Sequence, residues 1–179
     1  ARMRASALAP FQGQQTLDEV MVEARSQFRC VSLDKVEKHM ILRNDPDPSL
    51  IALTERAELG SVDAFLSHSW HDDAEEKWKV LQAWRREFKR SHGREPRVWL
   101  DKFCLDQNHI EKSLAMLPGF LAGCNQLVIL QGRTYHTRLW CLMELSIFAA
   151  MNGSSTNLEV RQLADCNVDV NVFDVKRAS

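Results

Sequence analysis

The chain has 179 residues, 45% hydrophobic and 26% charged, a balance that fits one soluble globular domain with or without an extension. A chain this long buries a full core without a disulfide or metal staple. Lys and Arg (23) nearly cancel Asp and Glu (24), leaving a formal net charge of −1. With no basic stripe, the phosphate-neutralising term that nucleic acid or an anionic membrane would need is missing. The longest apolar run, near Leu139–Met151, is interrupted by Glu144 and is too short to span a bilayer. No signal peptide is visible, although a chain starting at Ala1 leaves a trimmed leader open. The five cysteines are scattered and form no Cys-x-x-Cys. They predict neither a disulfide framework nor a zinc ribbon, and a cytoplasmic location.

Residues 1–15 are small, polar and aperiodic, as in a loose tail. Thr16 and Glu19 have capping-box spacing, which predicts a helix from Leu17 to about Phe28. Ser32 reads as the cap of a second helix through about Leu42, stopped by Asn44-Asp45-Pro46-Asp47-Pro48. Ser49–Leu59 reads as one more short helix, and Gly60 as the boundary between a tail with a helical extension (1–59) and a domain (60–179). From there the pattern changes. Val62–Ser67 reads as a strand, Asp72–Ser91 as a helix with Trp78, Leu81, Trp84 and Phe88 at helical spacing, and Arg97–Asp101 as a second strand. Phe103–His109 reads as a loop, and Ile110–Cys124 as a helix with Pro118 as a kink. Gln126–Leu130, apolar almost throughout, reads as a strand covered on both faces, and Thr137–Met151 as a third helix. Leu158–Leu163 and Val168–Val175 read as two further strands.

Alternating strands and helices build a parallel sheet covered by helices, here of about five strands. Such sheets bind ligands at the carboxyl ends of their strands. That rule selects Ser67–Asp73, Asp101–Gln107, Gln131–Thr137 and the helix start that follows.

Glu144 is the sharpest chemical signal. Apart from Cys141 and Glu159, it is the only ionisable side chain between Arg138 and Arg161, and it sits in a helix apolar on every side. Such a helix is normally buried. A buried carboxyl is costly unless paired, tends to a raised pKa, and is the kind of group found at functional sites. Two plainer readings stand beside this one: a narrow exposed strip carrying Glu144, or a structural ion pair with a nearby arginine. Trp140, four residues earlier, shares its face and is either ligand wall or core. Ser67-His68-Ser69-Trp70-His71-Asp72-Asp73 follows the first strand, where small hydroxyls and backbone N–H groups suit sugar or phosphate, and where Asp72 or Asp73 also suits a helix cap. The His68/His71/Asp72 spacing is not a metal-ligand pattern. No Gly-x-Gly-x-x-Gly or Walker loop occurs. Asp101 could orient Lys102 or a ligand hydroxyl, or both could belong to a solvated loop. Cys104 and Cys141 lack the His partner that a catalytic thiol needs, His136 being near Cys141 in sequence only.

Three motifs occur in order. Val62-Asp63-Ala64-Phe65-Leu66-Ser67-His68 is followed by Val98-Trp99-Leu100-Asp101, and then by Thr134-Tyr135, Leu139-Trp140-Cys141 and Glu144-Leu145. Together they resemble the Toll/interleukin receptor (TIR) family over roughly residues 61–151, and most closely its TIR-like microbial members. The resemblance implies a flavodoxin-like three-layer α/β sandwich. It also implies an NAD+ glycohydrolase that releases nicotinamide and linear or cyclic ADP-ribose and is activated by self-association. Glu144 would be catalytic, with Trp140 and Cys141 beside it and Ser67, His68, Ser69 and Trp70 lining the pocket; Asp101 and Lys102 join the candidate substrate-binding set. NAD+ is then the substrate, and no metal or other cofactor is implied. The loop at Lys102–Ile110 departs from the family in lacking glycine and proline. The chain also ends about 28 residues after the third helix, with no clear match over that stretch. The alternative is a non-catalytic TIR–TIR interaction module; a weaker one is a nucleoside or nucleotide glycosyl-transfer enzyme on the same sheet.

Overall fold

The computed structural model describes residues 17–107, 110–151, 153, 156–164 and 166. In chain order it contains α1 (Leu17–Gln27), β1 (Arg29–Ser32), α2 (Lys38–Leu42), a 3-10 turn (Pro48–Leu53), β2 (Glu55–Arg56), β3 (Val62–His68), α3 (Ala74–His92), β4 (Arg97–Leu100) and α4 (Asp101–Cys104). These are followed by α5 (Ile110–Ala122), β5 (Cys124–Gln131), a second 3-10 turn (Tyr135–Thr137), α6 (Leu139–Ala150) and β6 (Leu158–Gln162). One six-stranded sheet runs in the order β2-β1-β4-β3-β5-β6. The four strands β4, β3, β5 and β6 are parallel, and β1 and β2 add to one edge antiparallel. The alternation predicts the helix-covered parallel sheet and the resemblance the flavodoxin-like α/β sandwich; both are found, with six strands where about five were expected.

β3 lies at the centre, buried at all seven positions, because it has a parallel neighbour on each side and helices over its faces. Its one acid, Asp63, is tolerated because Arg94 donates two hydrogen bonds to it at 2.7 Å each and the Arg97 N–H a third at 2.8 Å. Burial pushes the Asp63 carboxyl up, but these donors more than offset it and hold the group below its ordinary range. α3 starts at Asp73, whose carboxylate accepts from the Glu76 N–H at 2.8 Å.

The departures from the sequence reading lie mainly before residue 60. Ser32 does not cap a helix. Its hydroxyl bonds Asp34 inside a turn, and the preceding residues form β1, with Cys30 and Val31 fully buried and Val31 in register with Val98. Pairing with β4 outweighs the local helical period. The second expected helix shrinks to α2, and Ser49–Leu59 becomes the 3-10 turn and β2. The extension is therefore strand as well as helix. It shares the core of the rest: Phe28 stacks near Phe120, Phe120 near Trp99, and Trp99 on Phe65 of β3. Gly60 marks a turn whose N–H bonds the Gly123 carbonyl. Further on, the expected loop at Phe103–His109 begins as α4, which buries Phe103 and Cys104. The tail at 1–15, the Thr16 cap and the strand expected at Val168–Val175 lie outside the described residues.

α1 packs on α5 at Gly119, where an added Cβ would fall well inside contact distance of the Ala24 Cβ. Helix propensity alone would make Gly119→Ala stabilising by about 1 kcal/mol. We expect the opposite sign, a loss of roughly 1–3 kcal/mol from overpacking, partly recovered by adding Ala24→Gly. Urea denaturation of the single and double variants reads both. A stabilised Gly119→Ala would mean that α1 does not seat there.

Candidate active site

A cleft of about 310 Å³ opens at the carboxyl ends of β3 and β4 and the start of α6. His68, Ser69, Trp70 and His71 come from the end of β3, Asp101, Leu105 and Gln107 from the end of β4 and α4, Arg138, Trp140 and Cys141 from the start of α6, and Pro46 from the extension.

Glu144 is not among the lining residues. It lies behind them, only 2% exposed, its carboxyl Oε2 accepting a hydrogen bond from the Ser67 hydroxyl. Ser67 in turn sits 2.7 Å from the Tyr135 hydroxyl. Among the described residues Glu144 makes no ion pair, so neither the exposed strip nor the arginine pairing describes it. The strip of α6 that does face solvent carries leucines, Leu139 at 73% and Leu142 at 40% exposure. Burial raises the Glu144 carboxyl well above the ordinary range, and Asp101 adds to this. The Ser67 hydroxyl and the Trp140 indole oppose it, though the indole N–H falls short of hydrogen-bond geometry and Nε1 has no partner. Burial and Glu144 together raise the Tyr135 phenol.

Hydroxyls at the mouth are already committed. Asp72 Oδ1 accepts from the Thr134 N–H and hydroxyl, both at 2.8 Å. Thr134 must then accept from Ser69, 2.7 Å away, while Ser69 Oγ accepts from the His71 N–H at 3.2 Å. This ties the loop after β3 to the loop after β5. It also requires Gly132, where any Cβ would run into the Asp72 carboxylate. Lys77, buried on α3, donates to the Ser69 carbonyl at 2.8 Å and the Trp70 carbonyl at 3.3 Å. Burial lowers its ammonium pKa.

The structure thus brings His68, Ser69, Trp70, Asp101, Trp140 and Cys141 to the cleft and places Ser67 and Glu144 behind it. Asp101 accepts from the Trp70 indole at 2.8 Å and fixes that ring. Lys102 turns the other way. Its Nζ donates to the carbonyls of Met40 (2.8 Å) and Arg43 at the end of α2 and lies 5.5 Å over the Trp70 ring. It is a latch for the extension rather than a cleft residue. Cys141 donates to the His68 carbonyl at 3.4 Å. Burial, helped by Glu144, pushes its thiol up to about 12, and burial does the same to Cys104, so neither is a nucleophile at neutral pH.

Sequence reasoning passed over Pro46, His71, Leu105, Gln107 and Arg138 as lining residues. Four of these lie in, or at the helix start just after, the strand-end segments that the sheet rule selects. Pro46 carried no such signal, because nothing local says that the extension reaches the cleft. Among the described residues no group of three or more His, Cys, Asp or Glu side chains could hold a metal ion, and no helix is long and apolar enough to cross a membrane. The chain matches no protein-family model, no curated protein and no solved structure.

Lys102→Met leaves two carbonyls of the α2 end without their buried donor. We expect a loss of roughly 1–3 kcal/mol and faster amide exchange over residues 38–47, with Lys102→Arg recovering part of each. Unchanged exchange in the Met variant would show that the latch does not hold the extension.

Proposed function

We propose that the chain is a TIR-like NAD+ glycohydrolase that cleaves the nicotinamide–ribose bond and works best when self-associated. The observation that carries this reading is Glu144: a buried carboxyl with no counter-ion among the described residues, held through Ser67 behind a ligand-sized cleft at the strand ends. Trp70 and Trp140 offer that cleft flat apolar walls for a planar ring. Arg138, without an ion-pair partner among the described residues, offers a cation to the diphosphate of a dinucleotide.

The chemistry follows from where charge would develop. The nicotinamide ring of NAD+ is cationic. As its bond to ribose breaks, the positive charge moves onto the sugar in an oxocarbenium-like transition state. Burial favours the neutral form of Glu144, and a cation in the cleft favours its ionised form. The carboxylate then stabilises the developing charge in a site poor in water. For this its side chain must leave Ser67 and turn toward the cleft. The leaving group is neutral nicotinamide and needs no general acid. NAD+ is substrate in this scheme. The five free cysteines suit a reducing, cytoplasmic setting.

The second reading, a non-catalytic TIR–TIR interaction module, is favoured by the exposed Leu139 and Leu142 on α6 beside the cleft. The two readings part on one residue. Glu144→Gln keeps the shape and an acceptor for Ser67 but removes the charge. The glycohydrolase reading expects nicotinamide release by the concentrated full chain to fall on the order of 100-fold or more, with thermal stability retained. Release unchanged in the Gln variant, or none from concentrated wild type in crowded solution, overturns it in favour of the interaction module.

A further inference from the structure

Hydrolysis needs more than a stabilised sugar cation; a water must lose a proton as it attacks. We propose that His68 is the base that takes this proton, a role that rests on the glycohydrolase reading above.

His68 is the last residue of β3, adjacent to the Ser67 that holds Glu144. Neighbouring residues of a strand point to opposite faces. Ser67 carries its hydroxyl to Glu144, and His68 turns its ring to the cleft, 6.5 Å between centroids from Trp70. Its backbone is pinned by the Cys141 thiol on its carbonyl. Among the described residues neither ring nitrogen has a hydrogen-bond partner, so the imidazole is held in place with its chemistry unspent.

The other polar groups of the cleft are occupied or unsuited. Asp101 accepts from the Trp70 indole and the Lys102 N–H. Ser69 donates its hydroxyl hydrogen bond to Thr134, and the Cys141 thiol stays protonated. Gln107 donates to the Asp101 carbonyl. Arg138 is a cation with no lone pair to accept a proton. His71 also faces the cleft, but it is solvent-exposed. The charged groups around His68 come from three elements: Asp72 before α3, Lys77 on α3, and Asp101 and Lys102 on α4. Two acids and two bases leave burial as the dominant influence, which lowers the His68 imidazolium to about 4. The ring is therefore free base throughout the neutral range; it is a weak base, but water bonding to a sugar cation is a strong acid and yields its proton to one.

The step balances. The C1′–N bond breaks with its electron pair going to the pyridine nitrogen, giving neutral nicotinamide. A water lone pair forms the C1′–O bond. The proton that water loses goes to a His68 ring nitrogen and from there to solvent, leaving ADP-ribose. Bond breaking does not use His68. Capture of the sugar cation by an added pyridine needs no proton removal either.

That difference supplies the test. The concentrated 179-residue chain is given NAD+ with and without 3-acetylpyridine, and ADP-ribose and the exchanged dinucleotide are both quantified. His68→Gln and His68→Asn are expected to lose hydrolysis by about 100-fold or more while retaining exchange within about threefold, so that the hydrolysis-to-exchange ratio collapses. His71→Gln is expected to leave that ratio unchanged. If both His68 variants keep the wild-type ratio, whatever their total activity, His68 is not the base. If His71→Gln shifts the ratio instead, the base is His71. A wild-type chain that neither hydrolyses nor exchanges overturns the glycohydrolase reading itself, and the role of His68 with it.

Discussion

A carboxyl group beneath a parallel sheet's ligand edge, with no cation to meet it among the described residues, constrains the groups around it. Glu144 is tolerated because it can remain protonated and because Ser67, itself in contact with Tyr135, answers its polarity. Both partners come from loops or strand ends of the same edge, so the strand register that places Ser67 opposite Ile129 also decides what Glu144 touches. A plain core would put leucine at this position and avoid the desolvation cost. Retaining an acid there is reasonable where its ionised form is wanted only when a cation arrives.

The cleft rim is built to hold still. Asp72 spans the two loops by gripping Thr134, and Thr134 orients Ser69. Lys77 sends a buried ammonium up to two carbonyls of the loop that bears Trp70. Leaving any one of these groups unpaired would strand its partners away from water. Asp72 Oδ2 and Gln131 Oε1 remain without protein partners in this region. The rim's polar groups are thus held in mutual hydrogen bonds, while the His68 ring facing the cleft has no hydrogen-bond partner among the described residues.

The segment before residue 60 is part of this construction. It adds two strands to the sheet edge, seats α1 against Gly119, and sends the end of α2 to receive Lys102, with Pro46 as one wall of the cleft. A site assigned only to the residues that resemble the TIR family would miss that wall and misread Lys102. The latch also keeps the Lys102 ammonium over Trp70, the ring that Asp101 fixes from its other end.

Local sequence determined the parallel core, the strand ends where a site belongs, and the oddity of Glu144. Each depends on apolar period or on the types of near neighbours, and these survive in a linear chain. It also marked Asp73 as a possible cap for α3. Only tertiary structure decided what Glu144 pairs with, since Ser67 lies 77 positions away. It alone turned Arg29–Ser32, which the sequence reading left between two helices with Ser32 as a cap, into a strand, because Cys30 and Val31 are buried beside β4. It alone sent Lys102 to the extension and left Leu139 in solvent, because an ammonium seeks the nearest unsatisfied carbonyls and a helix buries only the face its neighbours reach.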